Sequence, residues 1–282
     1  MKQVHVTKYS GEIELYDESK LRRSLKNAGA GPVLIEHITN QVQKKLYDGI
    51  PTQKIYKEAF RLLKSKSQRS AGRYKLKDAL FELGPTGFPF ERFIAELLNR
   101  LGYKTKVGVT VQGDCVTHEI DVIAQKDDHF ILVECKFHNQ KENRCNVKVP
   151  LYIHSRFRDV KRNWSSQPGH ENKTHKGWVV TNTRFTTDAE KYGICAGLEL
   201  LSWDFPKRNG IKDLVERLNL HPVTCLSTLS DPEKKLLLEH DVIFCRQICE
   251  DKDLIKAAGI NPRRINKIAK EAVEICNHRD EV

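Results

Sequence analysis

Apolar residues recur along this chain with two periods, and the switches between them divide it into segments. Val4 and Val6, then Ile13 and Leu15, alternate about Ser10-Gly11 and predict a hairpin. Helical spacing follows. Leu21, Leu25 and Ala28 share a face behind the cap candidate Asp17, Leu34, Ile35, Ile38, Val42 and Leu46 share a second, and Ile55, Ala59, Leu62 and Leu63 share a third behind Thr52. Residues 1–64 are therefore expected to form a small α+β module. Residues 65–85 are expected to be a basic helical linker, ended by Gly84-Pro85-Thr86-Gly87. Phe90, Phe93, Ile94, Leu97, Leu98 and Leu101 then form a helical stripe closed by Gly102. KTKVGVTVQG, THEIDVIA and HFILVECKF read as strands, the last two as a hairpin. The second half of 147–164 reads as a helix with Ile153, Phe157 and Val160 inward, and 167–176 as a loop. Strands at 177–183 and 197–203 flank a helix capped by Thr186 or Thr187. From Leu226 the pattern is all helical, and Gly259, Asn261 and Pro262 open a last helix striped by Ile265, Ile268, Ala269, Ala272 and Val273. The expected class is multi-domain α/β: the module at 1–64, the linker at 65–85, an α/β/α core with a mixed sheet at 86–206, and an all-α segment at 207–282.

Charge narrows the partners. The net charge is +11 and the basic residues cluster, with Lys64, Lys66, Arg69, Arg73, Lys75 and Lys77 in one run that contains no acid. Such a balance favours a polyanion such as DNA. Neither a spanning apolar segment nor a basic amphipathic helix with aromatic anchors is present, which argues against a membrane. The start of the chain lacks an apolar signal core, so a cytoplasmic location is expected. The eight cysteines form no C-x-x-C pair, which argues against structural zinc and for free thiols. A His170, His175 and Cys195 cluster is conceivable chemically but has no supporting spacing.

The strand pair carries the chemistry. Period two puts Glu119, Asp121 and Ile123 on one face of the first strand, and Glu134 and Lys136 on one face of the second. Adjacent strands would gather Asp121, Glu134 and Lys136 around one point, and two carboxylates there repel unless a cation lies between them. Oxygen donors, including the backbone carbonyl of Cys135, suit Mg²⁺ or Mn²⁺. The lysine is placed to orient or help deprotonate a water, or to stabilise developing phosphate charge. Charged groups inside so apolar a strand cost stability without such a use. The alternative is a buried ion-pair network with no activity. His118 and His138 flank the site, and Glu119 is a neighbour of the set.

Two resemblances rest on these residues. GFPFERFIAELLNRLGY, HEIDVIA and ILVECKFH together resemble the Mrr-type restriction endonuclease domain of the PD-(D/E)xK superfamily, out to about residue 205. The resemblance implies a restriction-endonuclease-like fold, Glu91 on the helix, Asp121 and Glu134 as metal ligands, and Lys136 as the catalytic lysine. VTKYSGEIELYDESKLRRSLKNAGA with LYDGIPTQKIYKEA is similar to an ATP-cone, with Val6, Lys8, Gly11, Lys20 and Thr52 and the Tyr47-Asp48-Gly49-Ile50 turn at matching positions; the five residues expected at a nucleotide are Val6, Lys8, Lys20, Leu21 and Thr52. That implies ATP or dATP as effector, with Lys8 and Lys20 meeting phosphates. Tyr9 and Tyr56 depart from the arginine and histidine common in the family.

DNA contacts are expected from Arg156, Arg158 and Arg162, read as outward-facing on their helix, and from Arg263, Arg264 and Lys267 in a helix-hairpin-helix-like ending. The overall expectation is a metal-dependent DNA endonuclease of restriction type, homodimeric or higher and responsive to nucleotide. The alternatives are a nucleotide-responsive DNA-binding protein with an inactive nuclease fold, or a repair or RNA-directed nuclease. Target, cut pattern and nucleotide preference are not encoded in any motif.

Overall fold

The computed structural model describes residues 4–8, 11–170 and 173–277. Tyr9 and Ser10, and with them the tip of the first hairpin, lie outside the described residues, as does part of the predicted 167–176 loop. The chain divides into two compact units, one of Met1–Ala79 with His221–Val282 and one of Leu80–Leu220.

In the first unit, β1 (His5–Thr7) pairs antiparallel with β2 (Ile13–Leu15) and parallel with β3 (Ile50–Pro51). Three helices accompany this small sheet: α1 (Glu18–Asn27), α2 (Pro32–Gln43) and α3 (Thr52–Lys66). Asp17 caps α1 by accepting from the Ser19 amide at 2.9 Å. Thr52 does not cap α3; the N-cap is Pro51, and Thr52 is the first helical residue. Val6, Leu25, Ile38, Ala59 and Leu63 form the core.

The basic segment after it is not a linker. It folds into α4 (Gln68–Tyr74) and α5 (Leu76–Phe81), with Ser70, Ala71, Gly72 and Arg73 buried.

The second unit carries the larger sheet. Helix α6 (Phe88–Arg100) precedes β4 (Lys104–Gln112), β5 (Thr117–Lys126) and β6 (His129–Lys136). The short β7 (Arg144–Cys145) and α7 (Lys148–Ser165) lead to β8 (Thr174–Thr181), the short β9 (Arg184–Phe185), α8 (Thr187–Cys195) and β10 (Glu199–Leu201). The sheet order is β10-β8-β6-β5-β4. The pairs β4–β5 and β5–β6 are antiparallel and the pairs β6–β8 and β8–β10 are parallel, so the sheet is mixed. Leu132 of β6 packs on Val160 of α7, and its neighbour Val133 turns to the other face. Helix α6 packs on β4, β5 and β6 and buries Phe90, Phe93, Ile94, Leu97 and Leu98. Helix α9 (Ile211–Leu218) belongs to this unit as well, beyond the predicted boundary at 206.

The chain then returns to the first unit as α10 (Asp231–Glu239), α11 (Cys245–Glu250), α12 (Asp253–Ala257) and α13 (Ile265–Cys276). Helix α13 packs on α4, where a side chain at Gly72 would meet Ile275, and Arg73 donates to the Ile275 carbonyl at 3.3 Å. Residues 1–79 and 221–282, expected as a module, a linker and a separate ending, thus form one unit built from both ends of the chain, while 80–85 and 207–220 belong with the larger sheet. None of the eight cysteines is in a disulfide, and no helix among the described residues is long and apolar enough to cross a membrane.

Candidate active site

The candidate site opens where two strands part. Pairing of β5 with β6 stops at Val122 and Val133, whereas β6 continues beside β8 as far as Lys136 and Thr181. Asp121 is the first residue of β5 past the last pair. Its Oδ2 accepts the backbone N–H of Cys135 at 2.6 Å, so a side chain takes over where the ladder ends. In a strand the N–H and C=O of one residue point to the same edge, so the Cys135 carbonyl faces the same opening. The strict alternation expected for β5 fails here: Ile120 and Ile123, an odd number apart, both pack in the Val160 cluster. Asp121 and Glu134 nonetheless come together, because each lies one residue past the Val122–Val133 pair.

Burial and like charge set the electrostatics. Burial, then the nearby Asp121, pushes the Glu134 carboxyl up to about 7, against the pull of Arg156 and Lys136. Glu91, in the first turn of α6, is likewise pushed up to about 7 by burial and then by Asp121 and Glu119. Burial also raises Asp121, opposed by the Cys135 amide and by Arg156. Three acids therefore face one another under strain from their shared charge. Lys136 stands exposed at the end of β6, and its side-chain amine makes no hydrogen bond or ion pair with another described residue.

Arg156 corrects the sequence-based expectation. It does not face out. Its Nη1 lies 2.6 Å from Glu134 Oε2 and donates to the Glu119 carbonyl at 3.2 Å, and its Nη2 donates to the Tyr152 hydroxyl at 2.7 Å. The signal was present, since Arg156 follows Ile153 by three residues on the face that continues to Phe157 and Val160. Arg158 is exposed, and Arg162 is exposed and 3.5 Å from Asp114. In the helical segment Arg263 and Lys267 are exposed, but Arg264 is tied to Glu233 and to the Thr228 carbonyl, so it serves the fold rather than an open surface.

The flanking histidines have structural partners. His118 Nε2 lies 2.8 Å from Asp159, which also accepts the Cys115 and Val116 amides and fixes the β4–β5 turn. The backbone of His138 is clasped by Asn182 at 2.9 Å on both sides. His170 and His175 bond each other at 3.1 Å in an aromatic nest with Phe130 and Trp164. Cys195 does not join them: among the described residues, the trio of His, Cys, Asp or Glu groups within one ion's reach is Asp114, Cys115 and Asp159. Its Asp159 carboxylate is already engaged by the turn.

Glu91, Asp121 and Glu134 do not close into such a trio while Arg156 holds Glu134. The donor chemistry still suits a hard divalent cation. It offers two adjacent carboxylates, a strand-end carbonyl, and acids whose proton affinities are raised by mutual repulsion that a cation would relieve.

The N-terminal module places four of the five expected nucleotide residues around one cavity. Val6, Lys20, Leu21 and Thr52 line it with Tyr56 and Tyr74, whose rings stack at 5.0 Å. Lys8 reaches the same wall through Glu14, which binds Lys8 at 2.8 Å and Lys20 at 3.0 Å. The cavity measures about 150 Å³, below the roughly 300–1,000 Å³ of drug-sized ligand sites. With both lysines occupied by Glu14, this arrangement does not fit a nucleoside triphosphate.

Comparison with known proteins agrees with this geometry. Residues 85–204 match a family model described as a restriction endonuclease (Mrr catalytic domain), residues 4–70 an ATP cone domain, and residues 221–276 the AF1548-like C-terminal domain. The chain is 33% identical over 183 residues to an uncharacterized protein of Archaeoglobus fulgidus, covering 64% of this chain and 99% of that protein. It is also similar to the crystal structure of a protein of unknown function, AF1548, with a TM-score of 0.57 and 31% identity over 68% of this chain and 98% of the other. The parted strands with their two acids, the helix bearing Glu91 and these matches lead to one conclusion: the chain belongs to the Mrr-type restriction endonuclease family of the PD-(D/E)xK superfamily, with an ATP-cone domain ahead of the nuclease domain.

Proposed function

We propose that the protein is a metal-dependent DNA endonuclease of restriction type that hydrolyses phosphodiester bonds. The observation that carries this is the opening between β5 and β6, where Asp121, Glu134 and the Cys135 carbonyl converge beside the exposed amine of Lys136. Asp121, Glu134 and that carbonyl would hold Mg²⁺ or Mn²⁺, which when bound supplies Lewis-acid charge and an acidified water. Asp121 is oriented in advance by the Cys135 amide. Glu134 would exchange Arg156 for the cation; in the metal-free protein the guanidinium compensates the carboxylate's charge. Lys136 Nζ orients the attacking water and neutralises charge on the phosphate as the water oxygen bonds to phosphorus and the ester oxygen leaves with a proton. Glu91, whose carboxyl burial and the charges of Asp121 and Glu119 push up to about 7, stands beside the pair and would support the bound ion.

DNA as substrate follows from the family and from the +11 charge. Arg158, Arg162, Arg263 and Lys267 are the exposed candidates for phosphate contacts. Function as a homo-oligomer in the cytoplasm, on modified or foreign DNA, is part of the same proposal. The test is Mn²⁺ titration by calorimetry together with duplex cleavage, comparing wild type with Asp121→Asn. Loss of both binding and cleavage in the variant supports the assignment. Unchanged Mn²⁺ binding in the variant removes it.

A further inference from the structure

A second cavity in the first unit has a different character from the small one under the hairpin. It measures about 1000 Å³ and shares no lining residue with the first. Five basic residues line it, Lys26, His37, Lys66, Arg69 and Arg73, and no acidic residue does. They come from three places: the end of α1, the first half of α2, and the junction of α3 with α4. In so basic a chain a solvated basic face would be unremarkable, but this one is concave and has depth. Lys26, His37 and Lys66 are exposed at the rim, while Arg73 is buried in the wall.

The backbone contributes independently. The cavity is also lined by Gly31, Pro32, Val33 and Leu34, the start of the twelve-residue helix α2. Gly31 provides no side-chain cap, Pro32 has no N–H, and the first amide bonded within the helix is that of Ile35, to the Gly31 carbonyl. The Val33 and Leu34 amides therefore precede the first helical hydrogen bond, at the positive end of the helix dipole. Cationic side chains from separate elements and the amides of a helix start border one hollow, an arrangement that complements clustered negative oxygens.

We infer that this cavity binds a compact polyphosphate group, of the kind carried by a nucleoside triphosphate or by inorganic polyphosphate. A chain of linked phosphates can reach from the rim lysines to the wall at Arg69 and Arg73. A duplex presents its phosphates on a convex ridge and would touch only the rim. The small cavity under the hairpin, at about 150 Å³ and with its lysines held by Glu14, does not compete for such a ligand in this arrangement. The inference does not depend on the nuclease assignment, and its failure would leave that assignment standing.

The experiment is calorimetric titration of the full chain, metal-free and at low salt, with tripolyphosphate, with ATP and with a short duplex. Three proteins are compared: wild type, Lys26→Gln/Lys66→Gln, and the charge-matched Lys8→Gln/Lys20→Gln. Tripolyphosphate and ATP should bind the wild type, weaken roughly tenfold or more in Lys26→Gln/Lys66→Gln, and change by no more than about twofold in Lys8→Gln/Lys20→Gln. Both altered rim residues are exposed, so unchanged thermal unfolding should accompany the loss. Tripolyphosphate binding that survives Lys26→Gln/Lys66→Gln, or that is lost in Lys8→Gln/Lys20→Gln, overturns the inference. So does binding through Lys26 and Lys66 that only the duplex shows, which would make the hollow a nucleic-acid contact.

Discussion

Replacing Glu134 by Gln should make the metal-free protein more stable at pH 8, although it removes an ion pair. The folded state raises the Glu134 carboxyl from an ordinary value near 4.5 to about 7. Between those values the folded protein holds the proton more tightly than the unfolded chain does. Wild-type stability therefore falls as pH rises through that window. Each tenfold change in proton affinity is worth about 1.36 kcal/mol, so the ionised carboxylate costs the folded state at most roughly 3 kcal/mol above pH 8. Glutamine removes that cost. Its amide oxygen can still accept from Arg156, but without the charge that attracts the guanidinium, which returns part of the gain. The net expectation is about 1–2 kcal/mol, or roughly 3–6 °C in the unfolding midpoint of a unit this size. The assay is thermal unfolding of wild type and Glu134→Gln in EDTA at pH 5 and pH 8. The variant should gain at pH 8 and match the wild type at pH 5. Excess Mg²⁺ should then raise the wild-type midpoint and leave the variant's unchanged. A variant less stable than wild type at pH 8 in EDTA would refute the claim that crowded carboxylates dominate this site.

Other outcomes follow from the same contacts. Arg156→Gln should tighten Mn²⁺ binding severalfold, because the guanidinium no longer competes for Glu134, and should lower metal-free stability by about 1–3 kcal/mol; calorimetry and denaturant unfolding check the two halves. Glu271→Ala should cost about 3–5 kcal/mol in denaturant unfolding of the first unit, since this fully buried carboxylate accepts the Ser227 and Thr228 amides and the Ser227 hydroxyl, which would lose their partner. Asp159 is held well below the usual carboxylate range, first by His118 and then by backbone amides. It lends stability above its unfolded value near 3.8 that is lost as pH falls further, so Asp159→Asn should flatten the acid limb of the stability profile while lowering stability at neutral pH.

Much of the candidate site is legible in the sequence because local rules dictate it. The stripe from Phe90 to Leu98 fixes the face of α6, and the apolar run before Glu134 fixes β6. Asp121 and Glu134 meet because each stands one residue past the last β5–β6 pair. The misreadings share a physical cause, which is that partners distant in sequence override local appearance. Arg156 reads as a surface arginine until Glu134 and the Glu119 carbonyl draw it inward. The basic run after Lys64 reads as a solvated linker, yet Ser70, Ala71 and Gly72 are small so that α13 can approach, and Arg73 spends a donor on the Ile275 carbonyl. A pairing across some two hundred residues leaves no periodic trace, although the run of small residues was a usable hint. Arg264 misled for the same reason, its partners Glu233 and Thr228 lying in an earlier helix and the turn before it.

The most direct test of the central claim is cleavage of supercoiled plasmid by wild type and by Lys136→Ala, each with Mg²⁺ and with EDTA. Lys136 is exposed and its side-chain amine makes no bond to another described residue, so its removal should leave thermal unfolding unchanged while cleavage falls by roughly a hundredfold or more. The account predicts Mg²⁺-dependent cutting by the wild type that disappears in EDTA and in the variant. Cutting that persists in Lys136→Ala, or that ignores EDTA, would contradict it.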